Sequence, residues 1–215
     1  MTANVAAETV TDSALWTGGL LLWENDNSFN FSAEYQVRLD ENMSTLQSHF
    51  LEFMTYKKAN ESLLLNAGYR FTRRPDHDEN RLYIGGYWDM TRQAQGSKYD
   101  SDRLRIVLQV GYQHDFKTVI EDRQMGSNSI RWILIASRQE TEKIRPFVTF
   151  GVLTTWNDAY SFGADKIRLG GGLAVAMTNR SRLRAQYIFE RAFFKSPQEN
   201  TNIFWVRYEA NFGIQ

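Results

Sequence analysis

The stretch Phe29-Asn30-Phe31-Ser32-Ala33-Glu34-Tyr35-Gln36-Val37-Arg38-Leu39-Asp40 decides the fold class. In an extended chain Phe29, Phe31, Ala33, Tyr35, Val37 and Leu39 share one face. Asn30, Ser32, Glu34, Gln36, Arg38 and Asp40 share the other. Successive side chains of a strand point to opposite sides, so unbroken alternation reads as a strand with one apolar and one polar wall.

The same period recurs along the chain. Leu63, Leu65, Ala67, Tyr69 and Phe71 alternate with Asn66, Gly68, Arg70 and Thr72, with Leu64 the exception. Leu82, Ile84, Trp88 and Met90 alternate with Arg81, Tyr83, Tyr87 and Asp89, and Leu104, Ile106, Leu108, Val110 and Tyr112 with Arg103, Arg105, Gln109, Gln113 and Asp115. The pattern returns in 166–177, 182–190 and 204–212, and more weakly in 15–23, 46–58, 129–138 and 144–157. In 46–58 the face stays open, because Phe50, Met54 and Tyr56 compete with Leu51 and Phe53. These are eleven candidate strands, most of 10 to 14 residues. Strands of soluble sheets usually run about 5–6 residues, whereas about 9–11 tilted residues cross a bilayer.

Turn residues separate the strands, as in Lys58-Ala59-Asn60-Glu61 and Gly126-Ser127-Asn128, and no linker divides the chain. One domain is expected over 14–215, behind a flexible tail of 1–13. That tail is small and polar and shows no basic or apolar region of a signal peptide. It fits a mature form or a chain whose start is cut short, and equally a cytoplasmic protein with a loose end.

Composition narrows the classes. The 215 residues carry 25 Lys+Arg and 25 Asp+Glu, which argues against holding nucleic acid by bulk charge. There is no cysteine, so disulfides and thiolate sites are excluded. The longest mostly apolar run, Leu169 to Met177, is nine residues, far below the roughly 20 of a membrane helix. A transmembrane β-barrel survives this test, because alternation keeps its average hydropathy low.

Alternation does not say which wall points inward, and three features favour the apolar wall outward. The polar wall is strongly charged on nearly every strand. Glu34, Arg38, Arg70, Arg81, Asp89, Arg103, Arg105, Arg131, Arg168, Arg182, Arg184, Glu190, Arg207 and Glu209 would line the lumen. The planar guanidinium suits bidentate pairing with carboxylates in a confined space. Aromatics such as Phe29, Trp88, Tyr112, Trp132 and Phe212 sit on the apolar wall, as in the girdles of membrane barrels. Eleven long strands also exceed the eight of a lipocalin-like barrel. The expectation is an all-β, antiparallel, up-and-down transmembrane barrel of ten or twelve strands, an even count, with both termini at one rim. The alternative is a soluble barrel that turns its apolar wall inward around an apolar ligand.

Several stretches resemble the DUF2490 family of bacterial outer-membrane β-barrel proteins of unknown function. They are Leu15-Trp16-Thr17-Gly18, Tyr35-Gln36-Val37-Arg38-Leu39, Asn66-Ala67-Gly68-Tyr69-Arg70-Phe71, Asn80-Arg81-Leu82-Tyr83, Arg103-Leu104-Arg105, Arg131 ahead of Pro146-Phe147-Val148, and Arg168-Leu169-Gly170-Gly171-Gly172-Leu173. The resemblance implies the outer membrane of a Gram-negative-type cell, with lipid and the assembly machinery as partners. It implies no catalytic residues to carry over. The C-terminus departs from the usual final aromatic, ending Phe212-Gly213-Ile214-Gln215.

Chemistry is sparse. Ser48-His49 could evoke an outer-membrane lipid-modifying enzyme, but adjacent strand residues face opposite sides and cannot pair. No G-x-S-x-G occurs, and His114 reads as interfacial. Asp76-His77-Asp78-Glu79 reads as a solvated acidic loop rather than a cation site. Gly170-Gly171-Gly172 lacks the spacing and following helix of a phosphate cradle, and reads as close packing or a bend. No cofactor, metal or catalytic residue is expected. The arginine face is the functional lead, either an anion-attracting path or an interlocked network that plugs a narrow barrel. Balanced charge favours the network.

Overall fold

A computed structural model describes residues 9–24, 29–91, 104–118, 127–138, 143–156, 163–193 and 198–213. Its strands are β1 (Val10–Trp23), β2 (Phe29–Asp40), β3 (Thr45–Lys58), β4 (Leu63–Arg73), β5 (Asp78–Asp89), β6 (Leu104–Thr118), β7 (Ser127–Arg138), β8 (Ile144–Trp156), β9 (Gly163–Thr178), β10 (Ser181–Ala192) and β11 (Glu199–Asn211). Each pairs with its sequence neighbours, and the sheet closes on itself through β1 and β11. β1 begins at Val10, inside the segment read from sequence as tail.

Among the described residues the closed ring holds eleven strands, not ten or twelve. Ten neighbouring pairs are antiparallel, and the closing pair β1–β11 is parallel, from Val10 opposite Glu199 to Leu22 opposite Asn211. Parity forces this: a ring of up-and-down strands closes antiparallel only if the count is even. β1 therefore enters at the rim opposite the one where β11 leaves, against the expectation of both termini at one rim. Sequence alternation reveals each strand but not its closing partner.

The rim where β1 begins carries the turns after β2 and β4. In the first, Glu41, Asn42 and Met43 have φ of 48, 58 and 66°, a left-handed path that glycine would usually take. Asp12 holds it. Its carboxylate accepts from the backbone N–H of Glu41 at 3.1 Å, of Asn42 at 2.9 Å and of Ser13 at 2.7 Å. One side chain of β1 thus fixes the β2–β3 hairpin. The connections at 92–103, 119–126, 139–142, 157–162 and 194–197 lie outside the described residues.

The apolar wall points outward. Phe31 is 53% exposed, Ile84 61% and Leu169 60%, whereas Glu34, Gln36, Arg70 and Glu209 on the opposite face are buried. In β3 the open question resolves: Leu51 and Phe53 face out, while Phe50 and Met54 are buried inside. Near the first rim the outer wall carries a repeated pair. Tyr35 is within hydrogen-bond distance of His49, and Tyr69, Tyr112 and Tyr187 donate to Asn80, Asn128 and Asn202 on the next strand. At the other rim Trp23 stacks on Phe212, centroids 6.1 Å apart.

Candidate functional site: an arginine-lined lumen

A barrel of this size has an interior that side chains largely fill, since diameter grows with strand number. Period-two alternation delivers one polar side chain inward every second residue, and the rows from different strands meet across the lumen.

Arginine–carboxylate pairs hold those rows together. On β11, Arg207 donates to Glu34 of β2 at 2.8 Å and to Glu209 at 2.5 Å. Glu209 also faces Arg182 at 3.6 Å and Arg184 at 4.0 Å, so one network joins β2, β10 and β11 across the parallel seam. Arg70 pairs with Glu52 at 2.7 Å. Arg81 forms a bidentate pair with Asp115, and Arg105 meets Asp89 at 2.9 Å. Glu190 accepts from Lys166 at 2.8 Å and from Arg168 at 2.6 Å. Most of these pairs link adjacent strands, so they lock register as well as fill space.

Rings separate the guanidiniums. Arg38 lies 4.2 Å from the Trp16 ring and 4.9 Å from that of Phe50. Arg70 covers the other side of this run, 4.0 Å from Phe50 and 5.2 Å from Tyr83, and Arg168 reaches Trp16 at 5.2 Å from across the lumen. A second run places Arg207 over Trp205 at 4.6 Å, and Arg184 over Trp205 at 5.5 Å and Phe147 at 4.1 Å. Interleaved rings let like charges approach without contact, each cation meeting the negative face of a ring.

Between these walls lies a central cavity of about 350 Å³. At the first rim the seam is packed by Ala14, Ile188, Ile203 and Trp205, with Trp16 against them. Towards the other rim, Tyr56 and Tyr87 stand with centroids 6.2 Å apart. Tyr87 lines both the central cavity and a second of about 310 Å³ that also touches Asp89 and Arg105. Gly170 has a steric role here. Gln186 of β10 donates to Thr149 of β8 at 2.7 Å directly over β9, and a Cβ on Gly170 would collide with that bridge.

Thirteen of the fourteen side chains expected in the lumen face it: Glu34, Arg38, Arg70, Arg81, Asp89, Arg105, Arg131, Arg168, Arg182, Arg184, Glu190, Arg207 and Glu209. Arg103 lies outside the described residues. Sequence reasoning missed Glu52 and the inward ring of Trp16 and left the face of Phe50 open, while the period places Lys166 and Trp205 on the polar face without marking them as site residues. Glu52 was legible from its place two residues from Phe50 and Met54 in the same period, once that face is known to be inward.

The minor candidates fall apart geometrically. Ser48 is fully buried and faces inward, whereas His49 faces out to Tyr35. His114 sits at the outer wall, bonded to Asn128 at 2.7 Å and edge-on to Phe116. The acidic run divides: Glu79 is buried and pairs with Arg74 at 3.3 Å, while Asp76 is exposed beside His77 at 2.9 Å. Among the described residues no group of three or more His, Cys, Asp or Glu is placed to hold a metal.

No family model matches the chain, and no curated protein matches it. A solved structure described as "Bacterial polysaccharide outer membrane secretin" is similar, with a TM-score of 0.54 at 12% identity. The likeness is one of fold. It covers 84% of this chain and 63% of that one.

Proposed function

We propose that this protein is an outer-membrane β-barrel whose lumen is held closed by its arginine–carboxylate network, serving a structural role or the restricted passage of small solutes. The observation that carries the reading is the inversion of the two walls: large apolar side chains cover the outside, and ion pairs fill the inside. A water-soluble barrel gains stability by the opposite arrangement, and a wholly apolar ligand would leave the eight cationic side chains of the central cavity without an answering charge. The tyrosine pairs at one rim and the Trp23–Phe212 stack at the other suit the two interfaces of a bilayer. The similar solved structure is itself described as an outer-membrane protein, which supports the same compartment. Under this reading the chain would stand beside the DUF2490 barrels on the stretches quoted above, with lipid and the assembly machinery as partners.

Two observations favour a closed lumen over a wide pore. Arg207 on β11 reaches over β1 to Glu34 on β2, and Arg38 of β2 and Arg168 of β9 converge on the Trp16 ring. The Tyr56–Tyr87 pair narrows the way between the two cavities. The test is electrophoresis in detergent with and without heating, followed by single-channel recording in a planar bilayer. A heat-modifiable band and insertion without steady current are expected. A band that heat does not move would contradict the membrane barrel, and a large steady current would contradict the closed lumen.

A further inference from the structure

We propose that the central cavity is a binding site for a small oxyanion, a carboxylate, phosphate or sulfate group. The inference rests on the lumen described above and deepens the reading of restricted passage. The cavity is lined by eight cationic side chains but only two carboxylates, Glu34 and Glu52. Both of those are engaged, Glu34 by Arg207 at 2.8 Å and Glu52 by Arg70 at 2.7 Å. Among the cations, Arg81 and Arg168 have their own partners in Asp115 and Glu190.

Two guanidiniums are left over. The Arg131 guanidinium makes no ion pair or hydrogen bond with any described residue, although it lines the cavity. Arg38 has only the Gln36 amide oxygen at 2.9 Å and the rings of Trp16 and Phe50, and no carboxylate within ion-pair distance among the described residues. Buried charge without a counter-charge is costly, so the arrangement calls for an anion.

A second, independent observation points the same way. Arg184 Nε and Trp205 Nε1 are buried without hydrogen-bond partners, and both residues line the same cavity. Each atom can only donate. Unused donors beside surplus cations specify an acceptor with negative charge, and oxyanions fit the planar fork of arginine. The flanking rings of Trp16, Phe50 and Trp205 offer apolar faces to the rest of a ligand small enough for about 350 Å³.

The test is calorimetric titration of the protein refolded in detergent micelles with inorganic phosphate, with glucuronate, and with glucose as the uncharged control. Saturable binding of phosphate or glucuronate without binding of glucose is expected. Phosphate binding would identify a site for free inorganic oxyanions, and glucuronate binding alone a site for a carboxylated sugar. R131Q and R38Q should each weaken binding about tenfold or more, the size expected for a lost charged hydrogen bond. R131K should retain most of the affinity, and R138Q, at the exposed end of β7, should change nothing. The heat-modifiable band, read on every variant, separates an unfolded barrel from a folded one that has lost the ligand. Absence of anion binding by the folded wild type, or equal binding by wild type, R38Q and R131Q, would overturn the proposal and leave the membrane reading untouched.

Discussion

The two walls of each strand follow different rules. The outer wall is generic: Phe31, Ile84, Leu169 and Phe204 are apolar and exposed, and any of several apolar residues would serve. The inner wall is specific: Arg207 needs Glu34 and Glu209, and Arg81 needs Asp115. One wall is matched to a medium and the other to itself. Substitutions should therefore be costly on the inner wall when they strand a partner, and on the outer wall when they introduce charge.

The largest effect is expected at the centre of the inner network. Arg207→Leu leaves Glu34 and Glu209 buried without their main partner, which should cost about 3–5 kcal/mol. Denaturant unfolding in micelles would measure it, and a loss under about 1 kcal/mol would mean that the network is solvated rather than interlocked. Next comes the outer wall. Leu108→Arg or Val175→Arg should cost up to roughly 2–4 kcal/mol in a bilayer, whereas Gln109→Glu, which faces the surplus cations of the cavity, should cost far less. Equal costs at positions 108 and 109 would erase the distinction between the walls.

Asp12→Ala should cost less again, about 0.5–2 kcal/mol, by analogy with the side-chain caps that accept backbone N–H groups. It removes the acceptor that holds the left-handed path of Glu41 to Met43, so the loss should appear as exchange protection missing from that turn. The smallest effect is expected at the β4–β5 turn. The His77 ring bonded to Asp76 holds its carboxyl below the usual carboxylate range. A depressed folded value stabilises above the unfolded carboxylate's range, and the contribution disappears as pH falls through the folded value. Because Asp76 is fully exposed, the pair is screened, and Asp76→Asn should leave the thermal midpoint at neutral pH unchanged.

Sequence made the walls legible because alternation is a local property. Phe29 to Asp40 alone separates an apolar face from a polar one, and burial follows that split from Phe29 to Gln36. It did not reveal who meets whom inside. Glu34 and Arg207 are 173 residues apart, and their contact depends on closure through a parallel seam that no local pattern encodes. The rings Trp16 and Trp205 were illegible for a related reason. Period places them inward, but only closure makes them neighbours across the seam, opposite one another in the β1–β11 register. The same limit hid the strand parity: each strand announces itself, whereas the count modulo two is a property of the whole ring.

The most direct measurement uses the absence of cysteine from the chain. Single cysteines introduced in turn from Leu104 to Asp115 along β6, spin-labelled and reconstituted in bilayers, report collision with oxygen, which concentrates in lipid, and with a water-soluble nickel chelate. The account predicts oxygen maxima at 106, 108, 110 and 112, minima between them, and low nickel accessibility at 109 and 113, which face a cavity that the closed network shields from bulk water. Nickel maxima at 106, 108 and 110 would contradict it, because the apolar wall would then face water.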